Sequence, residues 1–189
     1  MPRNELQESS VLREIASLHA RSLRDNGLSR CGTGFITCYY EAAAAHPSTI
    51  LLTEMTDDDK LAGFILCSTD CRHLFSRVMR TTGFRAVRYP RGIVFALARA
   101  LVSWLRGSPP VRYDVEVVFV AVEQNRLRSG VGRALLAKAL EELRQRGKRG
   151  VFLRVAENNV AAIGFYESAG FEPVINWRGK RIMRREIKA

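Results

Sequence analysis

No stretch of this sequence reaches the roughly eighteen consecutive apolar residues that a membrane-spanning helix needs. The nearest approach, residues 92–105, is interrupted by Arg99. The opening Met1-Pro2-Arg3-Asn4-Glu5 does not lead into an apolar h-region, so no secretory signal is expected. Cysteine is scarce: Cys31, Cys38, Cys67 and Cys71 are too few and too scattered for a disulfide framework in 189 residues. Mostly buried free thiols in a reducing cytoplasm are the expectation. Cys67, Cys71 and His73 supply only part of a zinc ligand set, and no second Cys/His cluster stands near them, so no metal is expected. Internal repeats and low-complexity segments are absent. So is acidity between Cys71 and Arg112, a segment with nine arginines and no Asp, Glu or Lys.

What remains is the composition of one globular domain, 47% hydrophobic and 26% charged, long enough to bury a core. Its net charge of +11 favours anionic partners. Ser9 to Asn26 carries Val11, Leu12, Ile15, Leu18 and Leu23 near helical spacing, with Asn26-Gly27 as a stop. A second helix is expected over Gly34 to Ala45. Thr49–Met55 and Leu61–Ser68 read as a hairpin joined by Asp57-Asp58-Asp59-Lys60. Asp114 to Glu123, with five valines and Phe119, is a strand. Gly132 to Arg146 is an amphipathic helix, Val151 to Ala156 a strand, and Asn159 to Ala169 a short helix closed by Gly170. Phe171–Trp177 and Lys180–Ile187 form a terminal strand pair turning at Arg178-Gly179. The order αα, ββ, a long insert and β-α-β-α-β-β makes a single mixed α+β domain.

The chemistry-bearing junction follows the valine-rich strand. Gly130-Val131-Gly132 turns the chain directly into a helix, whose first amides have no internal partner. Those amides and the positive helix end suit a phosphate, with Arg128 and Arg133 adding charge.

Val118-Phe119-Val120-Ala121-Val122, followed by Arg128-Ser129-Gly130-Val131-Gly132-Arg133, resembles the acetyl-CoA signature of the GNAT superfamily of N-acetyltransferases. The later run Asn159-Val160-Ala161-Ala162-Ile163-Gly164-Phe165-Tyr166, ending Ala169-Gly170-Phe171, resembles that superfamily's second signature. Leu127 stands where the family usually has Gln or Arg.

The resemblance implies a central, mostly antiparallel twisted sheet flanked by helices, with acetyl-CoA as co-substrate. Val120, Ala121 and Val122 would border the pantetheine arm through main chain, and an amide near Val122 would hold the thioester carbonyl. Residues 128–133 would wrap the pyrophosphate, and Asn159, also a natural helix cap, would contact the arm. Tyr166 would protonate the departing sulfur or, as the bland alternative, simply pack. Glu116 aligns with the base of histone-acetylating members, and alternation places it on the face of Val118, Val120 and Val122. Its alternative is an exposed carboxylate paired with Arg112 or Arg154. The glutamate used by ribosomal-protein acetylases is replaced here by Arg154.

The arginine-rich insert is expected to be a helical hairpin bordering the acceptor cleft. Arginine suits bidentate contact with phosphate or carboxylate. The expected acceptor is a small anionic or phosphorylated amine such as an amino-sugar derivative. Leu28-Ser29-Arg30-Cys31-Gly32 and Cys38-Tyr39-Tyr40 resemble members found among polysaccharide-synthesis enzymes. A protein amine is the alternative, and a non-catalytic RNA or membrane module the second. No RNA-binding pattern of interleaved aromatics is present. The apolar second half of the insert could pack on the domain, on a second copy in a homodimer, or at a membrane interface.

Overall fold

The computed structural model describes residues 2–24, 26–70, 80, 88–106 and 115–187. Helices α1 (Pro2–Ser22) and α2 (Thr33–Ala44) flank a 3₁₀ turn, Gly27–Cys31, and precede the hairpin β1 (Thr49–Met55) and β2 (Leu61–Ser68). Then come α3 (Pro90–Arg106), β3 (Val115–Val122), the 3₁₀ turn Gln124–Arg126, and α4 (Val131–Gln145). The chain ends in β4 (Gly150–Ala156), α5 (Val160–Ser168), β5 (Glu172–Trp177) and β6 (Lys180–Glu186). The strands form one sheet in the order β1-β2-β3-β4-β6-β5. Every pair is antiparallel except β3/β4. The mixed fold and mostly antiparallel sheet inferred from the sequence are therefore observed.

Two apolar cores sandwich the sheet. On one face Ile15, Leu18, Phe35, Ile36 and Tyr40 of α1 and α2 bury against Phe64, Leu66 and Ala121. On the other, Leu135, Leu136, Ala139 and Leu143, a helical stripe of α4, and Ile163 of α5 bury against Ile65, Val117, Leu153 and Met183. β5 is the exposed border of the sheet, with Pro173 near its start and a register shift between Pro173 and Ile175.

Two sequence expectations are corrected. The first helix ends at Ser22 rather than Asn26. The Ser29 hydroxyl donates to the Leu23 carbonyl at 2.6 Å and Arg24 Nε to the Arg21 carbonyl at 3.1 Å, satisfying the helix end early. Asn26 instead caps the following turn, accepting from the Leu28 N–H at 3.1 Å. Within β3, Glu116 does not share a face with Val120 and Val122. A bulge opposite Leu66/Cys67 pairs Leu66 with Phe119 and Cys67 with Val117. Val118 and Phe119 consequently both pack toward α1 and α2, whereas Val120 packs toward α4 and α5. One extra residue reverses the alternation.

The apolar half of the insert is helical, beginning with Pro90 at a position where a missing N–H costs nothing. α3 lies very close to the α1–α2 connection. A Cβ added to Gly27 would collide with Phe95, one on Gly92 with Phe35, and one on Gly34 would sit 2.6 Å from Tyr89. Three missing side chains create that seat. The rest of the hairpin expected over residues 71–112, with Cys71, His73, Arg72, Arg77, Arg85 and Arg112, lies outside the described residues. Cys31, Cys38 and Cys67 are buried and form no disulfide. No helix among the described residues is long and apolar enough to cross a membrane.

The first core also holds His19, fully buried. Its Nδ1 is 2.6 Å from the Tyr40 hydroxyl, and its ring packs between Phe64 and Phe119. Burial lowers its pKa from 6.5 to about 4. The unfolded chain therefore binds the proton first as pH falls, and stability drops between pH 6.5 and 4. The expected loss reaches about 3 kcal/mol. Urea unfolding at pH 7 and near pH 4.5 measures it. His19→Phe should flatten that slope, and an unaltered slope would assign the acid sensitivity to other groups.

Candidate functional site

β3 carries the site because its two sides end differently. Toward β2 it stays paired as far as Val122↔Gly63. Toward β4 it pairs only over Val115↔Val151, Glu116↔Phe152 and Val117↔Leu153. From Val118 to Val122 that side has no strand partner among the described residues, so its peptide groups need water or an extended ligand. A molecule with its own amides can take the place of a strand there.

The open wedge leads to the start of α4. Glu123 N–H donates to the Ala62 carbonyl at 2.9 Å, and the Glu123 carboxylate pairs with Arg21 of α1, which anchors the turn. The Ser129 hydroxyl donates to the Arg126 carbonyl at 2.7 Å. Arg128 and Gly130 take left-handed backbones, φ 62° and 92°. The first helical bond is from Ala134 N–H to the Gly130 carbonyl at 2.9 Å. Helix geometry leaves the N–H groups of Val131, Gly132 and Arg133 without an internal acceptor, and no side chain caps them. Arg126, Arg128 and Arg133 are exposed around them. Dipole, donors and charge converge on an anion seat.

Gly132 brings three elements together. A Cβ there would lie 3.5 Å from Phe165 of α5 and 3.6 Å from Val122 of β3. Phe165 and Gly63 are parts of this corner that sequence reading passed over. At Gly63 a Cβ would approach the Ala121 carbonyl oxygen to 2.8 Å and Val131 to 3.1 Å. Only tertiary contact reveals either.

Tyr166 is half-buried in the second core, edge-on to Phe165 and Phe171 at centroid distances of 5.1 and 5.5 Å. Its hydroxyl makes no hydrogen bond to a described residue. Burial, with Cys67 beside it, raises its pKa to about 12, so the phenol keeps its proton through the neutral range. Burial alone raises the Cys67 thiol to about 12, making it an inert neighbour. Asn159 caps α5, its side-chain oxygen accepting from the Ala162 N–H at 3.1 Å.

Glu116 sits on the opposite face of β3 and is buried, at 4% exposure, where one of its two expected environments was an exposed strand end. Its partner is Arg154 of β4, whose Nε and Nη2 donate to Oε1 at 2.7 and 2.6 Å. Oε2 is buried without a hydrogen-bond partner among the described residues. A buried carboxylate oxygen left open is costly unless something donates to it. The wedge, the anion seat, Tyr166 and Val120–Val122 thus share one region, whereas the Glu116 side chain leaves β3 on its other face, just before the bulge. No group of three or more potential metal ligands occurs among the described residues.

Comparison with known proteins finds relatives both in sequence and in fold. The family model described as "Acetyltransferase (GNAT) family" matches residues 14–171. The [ribosomal protein bS18]-alanine N-acetyltransferase of Escherichia coli strain K12 is 46% identical over 52 residues, covering 28% of this chain and 35% of that protein. Mycothiol acetyltransferase of Thermobispora bispora is 46% identical over 56 residues, covering 30% of this chain and 19% of that protein. The matched stretches thus span well under half of either curated relative. In fold, the chain is similar to the PaiA N-acetyltransferase of Thermoplasma acidophilum, solved in complex with coenzyme A. The TM-score is 0.60 at 12% identity, over 94% of both chains.

Proposed function

The chain belongs to the acetyltransferase (GNAT) family, and on that footing we propose that it moves an acetyl group from acetyl-CoA to a primary amine. The observation that carries this reading is the parting of β3 from β4 after Val117, directly upstream of the open N–H groups at Val131, Gly132 and Arg133. The pantetheine amides suit the unpaired stretch Val118–Val122, and the diphosphate suits the helix start with Arg128, Ser129 and Arg133. Leu127, 51% exposed, has no side-chain donor to add to that grip.

In the transfer, the amine nitrogen bonds to the thioester carbonyl carbon and the carbon–sulfur bond breaks. A main-chain N–H near Val122 steadies the carbonyl oxygen as charge grows on it. The amine proton passes toward Glu116, whose Oε1 is occupied by Arg154 while Oε2 is open. Tyr166, protonated at neutral pH, gives its proton to the leaving sulfur. Asn159 holds the start of α5, and so the position of Tyr166 two turns later.

The acceptor we favour is a small amine bearing carboxylate or phosphate, in keeping with the net charge of +11 and the arginines of residues 71–112. A peptide amine is the second reading, favoured by the 46% identity to a ribosomal-protein acetyltransferase segment. A coenzyme A release assay across amino sugars, sugar nucleotides, polyamines and basic peptides separates them. Acetyl-CoA at a hundredfold excess over its Kd should add about 2.7 kcal/mol to folding stability. Absence of both stabilisation and release would overturn the reading. Tyr166→Phe should lower turnover at least about tenfold while acetyl-CoA still stabilises the fold. Undiminished turnover would remove Tyr166 from the mechanism.

A further inference from the structure

α3 presents an apolar stripe to water. Its inner side faces the α1–α2 connection, where Phe95 reaches Gly27 and Gly92 meets Phe35. On the outer side Val94, Leu97 and Leu101 are 67%, 66% and 57% exposed, with exposed Ala98 between them. Spacings of three and four residues put all of them on one stripe. Beside it an open groove of about 540 Å³ runs between α3 and the Gly27–Cys31 turn, walled by Val94, Phe95 and Ala98 and flanked by Arg30 and Arg91. Arg80, Arg88 and Arg91 are exposed. They belong to the segment of nine arginines without a single acid.

We propose that α3 docks this protein on an anionic lipid surface, lying in the plane of the interface. Val94, Leu97 and Leu101 enter the acyl boundary while the flanking arginines contact headgroup phosphates. Charge selects this occupant. A second copy would bring the exposed Arg88 and Arg91 of two such helices together, and like charges at close quarters oppose association. A nucleic acid would satisfy the arginines and leave the apolar stripe in water. An anionic leaflet satisfies both. The 17-residue helix is about 26 Å long, short of the roughly 30 Å hydrocarbon layer, so it lies on the surface and does not cross.

The test is flotation of the full chain with vesicles of equal phosphatidylglycerol and phosphatidylcholine, against phosphatidylcholine alone. Binding should be at least about tenfold stronger on the anionic vesicles and weaken steeply at about 0.5 M salt. The pair Leu97→Glu and Leu101→Glu should lower it about tenfold or more. Arg88→Glu with Arg91→Glu should do the same and reduce the salt dependence. All variants should keep the melting shift given by acetyl-CoA, which shows them folded. Equal recovery on both vesicle types, or undiminished binding of the leucine pair, overturns the proposal. A dimer formed without lipid and abolished by Leu97→Glu also overturns it, making the occupant a second copy. The proposal is independent of acetyl transfer: loss of the acetyl-CoA shift in the parent chain would sink the enzymatic reading and leave lipid binding standing.

Discussion

Glu116→Gln should lower turnover by about a hundredfold and remove the ascending limb of the pH–rate profile, with donor affinity unchanged. The amide nearly preserves the volume of the carboxylate and can still accept from Arg154 through one oxygen, so the buried contact between β3 and β4 survives in weakened form. What it loses is an oxygen able to take a proton. A purely structural ion pair gives a different result. The variant would then be destabilised, because the Arg154 side chain, itself 33% exposed, loses its charged partner, while the turnover of the folded fraction would keep its pH dependence. Comparing pH profiles with melting temperatures for the same preparation distinguishes the two outcomes. Retention of the ascending limb in Glu116→Gln would assign the base to another group.

Gly132→Asp should weaken acetyl-CoA binding on the order of a hundredfold and leave the fold intact. Space does not forbid the change, because the new Cβ would have ordinary contacts with Phe165 and Val122. A carboxylate near the first turn of a helix favours the helix itself. The same carboxylate faces the diphosphate at close range and competes for the N–H groups of the seat. Equilibrium binding of coenzyme A, with melting temperature as the control, reads this directly. Gly132→Ala should bind nearly as the parent does. Equal donor affinity in Gly132→Asp would place the diphosphate elsewhere, and the wedge would lose its meaning.

Both effects depend on residues visible in the sequence, though not for the same reasons. The turn through Gly130 and Gly132 was legible because the chemistry is local: a valine-rich strand, two glycines and a helix in continuous order. Asn159 was legible in the same way, since a cap needs only its own helix. The environment of Glu116 was half legible. Arg154 stood among its candidate partners, but strict alternation put the carboxylate on the wrong side of β3. A bulge is decided by two strands together, here by Leu66 and Cys67 against Val117 to Phe119, and no pattern within β3 alone announces it. The same limit hid the aromatic cage of His19, assembled from α1, α2, β2 and β3. It hid the approach of Phe165 to Gly132 as well. The glycines at 27, 34 and 92 read as punctuation along the chain, whereas in space they are the recesses that receive Phe95, Tyr89 and Phe35.

The border strand β5 bears on how these molecules avoid each other. Its residues are exposed, with Val174 and Ile175 at 41% and 42%, the kind of flank on which chains could stack edge to edge. Pro173 has no hydrogen to offer there, and the register shift beside it takes the strand out of step before a neighbour could align. Association through that margin lacks a continuous row of donors to build on. At this margin, proline and slipped register together act against the growth of a sheet from one molecule into the next.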